Sequence, residues 1–429
     1  MSRADWALCL ILCFSARAFA QASARDPSFR SGQQAAPLTL SLEGAIAMAE
    51  QQSPLVRRAI REQAVVEAGR VGAAALLPAN PALSVMLGGR RDSSGSVPAS
   101  QGFEGIGRLE QTIEIGGQRG LRMTEAARAV DVARIRTELA RVEARARVRA
   151  AYTGVLLARR HLEYARAQEA LGQRVFESAS ARLQAGAGTD VDRNLAEVER
   201  GRLTQERVYA VLELGEALAR LRRTLGIPLE RSLELSSLLA LPPAVTEALA
   251  PLVERAKSRR AELRALDASV SQLDAALLRL RRERVPSPTL SFEVMAQQPG
   301  QLYLGGGLSV PLPLWRRGQG EIAVALANRA LVVEERGIFD DELGIEVERT
   351  HRAALALREA AEQWERVSVP AAERNLELVT QGWRSGKFDL FRVVQTAREA
   401  AEAQRRQLQL LGALWDATIT LDRVTGGAP

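Results

Sequence analysis

Leu183-Gln184-Ala185-Gly186-Ala187-Gly188-Thr189-Asp190 is answered about two hundred residues later by Trp383-Arg384-Ser385-Gly386-Lys387-Phe388-Asp389, with Gly186 falling on Gly386. In each stretch a long helical pattern halts at glycine and restarts at a Thr or Asp, the residue types that close one helix and open the next. Upstream, Gly117-Gln118-Arg119-Gly120 answers Arg317-Gly318-Gln319-Gly320 at the same offset. Further upstream the offset becomes 207: Asn80-Pro81-Ala82-Leu83 matches Ser287-Pro288-Thr289-Leu290, and Ser53-Pro54-Leu55-Val56 matches Arg260-Ala261-Glu262-Leu263. The slip of seven falls between Leu83 and Gly117, where the stretch Gly88–Gly105 is rich in Gly, Ser and Pro. A duplication tolerates an insertion confined to a loop, and such a loop is expected to face outward. Two repeat units are therefore expected, 38–226 and 248–425, joined by an irregular linker at 227–247 with Pro228, Pro242 and Pro243.

Each unit opens with a helix, the first from Ser41 with a pattern running to Leu77 before Pro78 and Pro81 stop it. Two short strands follow, about 82–88 and 106–115 in unit one, and about 289–296 and 302–310 in unit two. Leu109, Gln111, Ile113 and Ile115 alternate with Arg108, Glu110, Thr112 and Glu114. In unit two, Leu290, Phe292, Val294 and Ala296, then Leu302, Leu304, Leu308 and Val310, stand opposite Ser291, Glu293, Tyr303 and Ser309. A half-buried soluble hairpin gives the same trace, but lone hairpins are marginal in water and nothing else here offers a strand to pair with. Four strands are too few to close a membrane barrel, which needs at least about eight. Strands that span a membrane here must share one barrel among several chains.

From Arg119 to Gln184 the chain has no proline and its apolar residues step at heptad-like spacing, as in Ile135, Leu139, Val142 and Ala146. Such a helix of about 66 residues is a rod of roughly 100 Å. A return helix is expected from Thr189 or Asp190 to Leu225, and Gly226 and Pro228 stop it. Unit two repeats this from Gly320 to Arg384, with a kink expected at Pro370, and returns from Asp389 to about Val424. The composition fits: 46% of residues are hydrophobic but only 4% are aromatic, so the helices pack through small residues and need lateral neighbours.

The net charge of +7 comes with no basic block interleaved with aromatics, which leaves no expectation of nucleic-acid binding. Arg3, the apolar run Ala7–Phe14 and the small-residue pattern at Ala18–Ala20 form a signal peptide, expected at 1–20, with a second cleavage site after Ala24. Cys9 and Cys13 both lie in the removed part, so neither disulfides nor thiolate metal sites are expected in the mature protein. No later segment reaches 18 consecutive apolar residues, so the exported chain is soluble or crosses an outer membrane as a barrel. Catalytic signatures are missing. His161 and His351 each stand alone on a long helix; Ser385-Gly386-Lys387-Phe388 lacks both the spacing and the Ser/Thr of a phosphate loop; Gly305-Gly306-Gly307 lies inside a strand. No enzyme activity, cofactor or resident metal is expected.

The doubled order of these motifs resembles the TolC-type outer membrane efflux channels over roughly 38–425. Leu42–Ala49, Asn80–Leu83 and the turns at Gly186 and Gly386 carry the likeness, while Gly116–Arg119 and Gly386–Asp389 look most like the heavy-metal, cobalt–zinc–cadmium branch. The resemblance implies a mainly α protein with a membrane β-barrel: a homotrimer with one twelve-stranded barrel in the outer membrane of a Gram-negative bacterium and a twelve-helix α-barrel in the periplasm. It implies a passive exit duct for heavy-metal cations, among other cargoes. The duct is joined through a periplasmic adaptor to an inner-membrane pump, of the resistance-nodulation-division type. It also implies that Gly186, Thr189, Asp190, Gly386, Lys387 and Asp389 form the periplasmic tip that meets the adaptor; the same residues serve equally as plain helix caps. Asp192 stands where relatives narrow the tip with carboxylates, but Arg392 and Gln395 occupy the matching unit-two positions. The aperture is then either a weakened acidic ring or an Asp192–Arg392 latch. The competing class is a periplasmic adaptor or coiled-coil scaffold, which would carry one helical hairpin between two split β-rich halves.

Overall fold

The computed structural model describes residues 38–91, 101–228, 231–297 and 300–427. The expected signal peptide lies outside them, as does 92–100 within the Gly88–Gly105 stretch. Strand β1 (Leu38–Leu40) leads into α1 (Leu42–Gln52), whose N-cap Ser41 accepts the Gly44 N–H at 3.1 Å. The sequence pattern reads as one helix from Ser41 to Leu77, but the chain breaks at Ser53. That residue closes α1 and caps α2 (Pro54–Ala73), accepting the Val56 N–H, with Pro54 in the first turn where a missing N–H costs nothing. Helix α2 ends four residues earlier than the pattern suggests. Pro78 pulls the preceding chain out of helix, and the Arg119 guanidinium takes up the freed Ala74 carbonyl at 3.0–3.1 Å.

Strands β2 (Ala82–Arg91) and β3 (Gln101–Thr112) form a hairpin. Next come α3 (Gln118–Gln184, 67 residues), α4 (Asp190–Leu225) and β4 (Leu233–Leu235). Helices α5 (Leu249–Arg259) and α6 (Ala261–Arg282), strands β5 (Thr289–Gln297) and β6 (Gln301–Ser309), and helix α7 (Gln319–Gln363) repeat the series. A wide π turn over Trp364–Ser368, α8 (Val369–Arg384) and α9 (Leu390–Val424) complete it. The linker is not wholly irregular: β4 pairs in parallel with β1, Leu38 opposite Leu233.

The two hairpins join in one antiparallel sheet of order β2-β3-β5-β6. Register places Leu83, Leu109 and Phe292 in one row, with Val85 and Val294 two residues along on the same face. On the other face Ser84, Arg108, Glu293 and Gly305 lie in one row, and Arg108 Nε donates to Glu293 at 2.9 Å. Below the sheet α2, α3, α6 and α7 lie side by side. Towards the glycine turns the row becomes α4, α3, α9 and α8.

Between these levels sits a buried cluster of Leu40, Ala45, Ala49, Val56, Val148, Tyr152, Leu221 and Leu233. The Tyr152 hydroxyl donates to the Leu40 carbonyl at 3.0 Å and meets Ser237 Oγ at 2.9 Å. In unit two, His351 Nε2 meets the Glu247 carbonyl at 3.1 Å. Both carbonyls directly precede the N-cap of their unit's first helix, so Tyr152 and His351 are equivalent, 199 positions apart.

Other pairs differ. Gly117 (φ 76°) and Gly318 (φ 69°) cap α3 and α7, and the side chains of Gln118 and Gln319 accept the backbone N–H of Gly116 and Arg317. That places equivalence at 201, not at the 200 suggested by matching Gly120 with Gly320. At the turns, Gly186 and Gly386 return to 200. The π turn accounts for the last step. It adds one residue between His351 and Gly386, just before Pro370, whose ring would crowd the carbonyl four residues back in a regular helix.

Replacing Tyr152 with Phe strips the buried Leu40 carbonyl of one of its two donors, leaving the Ser236 N–H at 3.1 Å, and frees the linker at Ser237. Unfolding of the purified protein in detergent is expected to show a loss of about 0.5–1.5 kcal/mol. An unchanged midpoint would mean that this hydroxyl holds nothing.

Candidate functional site at the helical turns

At the end of α3 the chain must reverse within a few residues. Gly186 adopts φ 71°, the Ala187 N–H returns to the Arg182 carbonyl at 2.9 Å, and the Gly186 N–H reaches the Leu183 carbonyl at 3.0 Å. Helix α4 then opens on a reciprocal cap: Thr189 Oγ1 accepts the Asp192 N–H at 3.2 Å, and the Asp192 carboxylate accepts the Thr189 N–H at 3.4 Å. Asp190, exposed, adds a carboxylate to the positive end of the same helix.

The second turn copies the backbone. Gly386 sits at φ 78°, and the Lys387 N–H meets the Gly382 carbonyl at 2.8 Å. Asp389 caps α9 by accepting the Arg392 N–H at 2.8 Å. Gly382 leaves room for the Phe388 ring, with which any Cβ at that position would collide, and the Arg392 guanidinium lies 4.8 Å from that ring's centre. Gln395 is exposed and bonds weakly to Glu399 at 3.4 Å. Lys387 is exposed as well.

The two turns sit side by side. Val175, Ala179 and Ala196 of the first hairpin pack with Trp383, Leu390, Val393 and Val394 of the second, and Arg182 donates to the Trp383 carbonyl at 3.1 Å. All nine residues singled out in the sequence therefore lie at one end of the molecule. The Asp192–Arg392 latch does not form within the chain: Asp192 is used by the Thr189 cap and Arg392 covers Phe388.

A different pair ties the hairpins. Glu199 of α4 is almost wholly buried, with Arg202 at 2.6 Å on its own helix and Arg398 of α9 at 2.7 Å. One heptad further, Glu206 meets Arg405 at 2.8 Å and faces His161, whose other ring nitrogen is 2.7 Å from Glu213. Burial pushes the Glu199 carboxyl up, but the bonds and charges of Arg202 and Arg398 outweigh it and hold it below the usual 4.5. The sequence contained one signal for this clasp: acids at 199 and 206 and arginines at 398 and 405, each seven apart on the two return helices.

A family model described as Outer membrane efflux protein matches residues 45–227, nearly all of the first series of elements. The cobalt-zinc-cadmium resistance protein CzcC of Cupriavidus metallidurans is 27% identical over 405 residues, covering 91% of each chain. Over residues 45–227 the chain is similar to the outer membrane efflux protein family. Crystal structures of CusC share the fold with a TM-score of 0.71 at 14% identity, over 94% of this chain and 96% of that one. The Campylobacter jejuni CmeC outer membrane channel gives 0.72 at 13% identity, over 90% and 85%. This efflux protein is thus a channel component of the outer membrane with a helical extension into the periplasm. Proteins of that family act with an adaptor and an inner-membrane pump, and channels of this kind are not enzymes. An adaptor's single hairpin between split β halves is not what the fold shows: the described residues form two helical hairpins, each behind its own strand pair.

A carboxylate whose pKa is depressed on folding stabilises fully above its ordinary value and loses that contribution as pH falls through the lower, folded value. The clasp is therefore expected to hold at neutral pH and to release only below pH 4.5. Proteolysis at the turns from about pH 7 down to about pH 2.5 reads this out. Glu199→Gln should be cut at neutral pH as readily as the parent is in acid, and equal protection of the two at neutral pH would rule the clasp out.

Proposed function

We propose that three copies close into a ring: twelve strands in the outer membrane above twelve helices. The observation that carries this is the pair of unfinished flanks on one chain. Among the described residues strands β2 and β6 have free edges, and a strand edge in hydrocarbon leaves backbone groups with no partner. The helical flanks are equally bare. Val65 and Val71 on α2 and Val191, Val198 and Leu212 on α4 are exposed on one side; Val324, Leu331 and Ile345 on α7 and Leu378 on α8 are exposed on the other. Two different flanks joined head to tail give a heterologous contact, which closes as a ring when the rotation between copies completes a full turn. Repeat units at 38–226 and 248–425 would each supply two strands and two long helices to it.

In this reading the turns at Gly186 and Gly386 are the periplasmic tip. Thr189, Asp190, Lys387 and Asp389 stand there for an adaptor to touch, and Asp192, Arg392 and Gln395 line the aperture. The likeness to a cobalt-zinc-cadmium resistance protein supports heavy-metal cations as cargo and a resistance-nodulation-division pump as the engine. A strain lacking this channel should become sensitive to one or more of cobalt, zinc and cadmium; sensitivity to drugs alone would overturn the metal assignment.

Assembly has its own test. The protein extracted from outer membranes in detergent should run as a trimer, and Leu304→Pro, which removes a ladder donor from β6, should leave monomers. Release of the parent as a soluble monomer by osmotic shock would overturn the ring. In planar bilayers Arg392→Glu should raise cation conductance by restoring an acidic aperture, and unchanged conductance would remove Arg392 from it.

A further inference from the structure

The apolar outer face of β6, Leu302, Leu304 and Leu308, does not stop where the strand ends. It continues through Val310, Leu312 and Leu314 to Trp315, which is 83% exposed in the chain. This segment is held in a fixed shape. The Leu314 N–H donates to the Leu312 carbonyl (2.9 Å), Arg317 Nε to the Pro313 carbonyl (3.1 Å), and Gln319 Nε2 to the Trp315 carbonyl (2.9 Å). Arg284 Nε, just beyond the end of α6, reaches the Arg317 carbonyl at 3.1 Å and fastens the loop to that helix. A tethered backbone that holds an indole out in water forgoes the burial of about 150–250 Å², so the ring needs a cover.

Just beyond the tryptophan the surface turns basic. Arg281, Arg282 and Arg316 are exposed, and none has a carboxylate partner among the described residues. Arg284 and Arg317 spend one nitrogen each on backbone carbonyls. The nearby Glu283 is taken by Arg279, which leaves Glu321, in the first turn of α7, as the neighbouring acid. The matching junction in unit one differs: Glu114 pairs with Arg122, and Arg119 is bound to the Ala74 carbonyl.

An apolar band, then an indole, then unpaired guanidinium groups is the order of chemistry met on leaving a bilayer through its headgroups. We propose that this collar of unit two, Trp315 with Arg281, Arg282 and Arg316, binds the phosphate headgroups of anionic phospholipids in the periplasmic leaflet. The inference rests on the strands spanning the outer membrane. Continuity with the lipid-facing strand and the surplus of positive charge select a phospholipid over a neighbouring protein chain as the cover. The collar would set the depth of the barrel through unit two alone.

The test uses the full-length protein in vesicles of phosphatidylcholine containing brominated phosphatidylcholine or brominated phosphatidylglycerol. Trp315→Phe serves as the reference that isolates the emission of this residue. Both lipids should quench Trp315, with phosphatidylglycerol favoured at least about fivefold at low salt. The triple variant Arg281→Gln, Arg282→Gln, Arg316→Gln should keep quenching by phosphatidylcholine and lose the preference. Equal quenching by the two lipids in the parent, or a preference that survives the triple variant, overturns the anionic site. No quenching by either places the indole against a neighbouring chain and overturns the lipid cover altogether. Conductance of the same vesicles reports independently whether the channel has formed, so failure of the collar and failure of the channel are told apart.

Discussion

A peptide group inside hydrocarbon has no water to bond, and an open sheet edge there is correspondingly costly. Among the described residues one chain of this protein ends its sheet at β2 on one side and β6 on the other, both unpaired. The rest of the architecture follows from that constraint. Strands of 9–12 residues are long enough to cross the apolar layer when tilted, but four of them cannot close on themselves. The helices inherit the same incompleteness, with alanine-rich packing inside each hairpin and apolar side chains left on the outer flanks. In the proposed ring, closure in the membrane and closure in the periplasm would be one requirement met at two levels.

Within a chain, the level between sheet and turns is where the two series of elements are stitched together. The linker passes Tyr152, whose partners are Leu40 and Ser237, then Trp415, which donates to the Ala240 carbonyl, and Arg358, which donates to the Pro242 carbonyl. Each of these contacts takes up a carbonyl or hydroxyl that an irregular segment would otherwise leave unpaired. The clasp at Glu199 does the same work nearer the turns with charge. The hairpins thus rest on two belts of polar contacts separated by long stretches of small-residue packing.

Much of the fold was legible in the sequence because it rests on local chemistry. Glycines at Gly186 and Gly386 adopt positive φ, Thr189 and Asp389 act as caps, and the alternation around Leu109 and Phe292 sorts the sheet into two faces. What was not legible depends on distance or rotation. The three-residue strands β1 and β4 are too short to carry a period. The Glu199–Arg398 pair requires knowing which faces of α4 and α9 meet, and heptad spacing alone offers many such pairs. The latch between Asp192 and Arg392 is absent from the chain for a related reason: a carboxylate placed for an aperture was also placed to cap its own helix, and the local bond forms.

Counting residues between equivalent positions gives 201, then 199, then 200 along the outgoing helices. The second rod is shorter by one residue overall and carries its correction in the wide turn at Trp364–Ser368. Hydrogen bonds there close larger rings, and Pro370 contributes no donor, so bending resistance is lowest at that point. The rod of unit one, over the equivalent stretch, is unbroken α-helix. Hairpins that look alike in outline therefore differ in compliance. A ring of three such chains has six hairpins by shape but only three by mechanics, so its natural deformation is threefold.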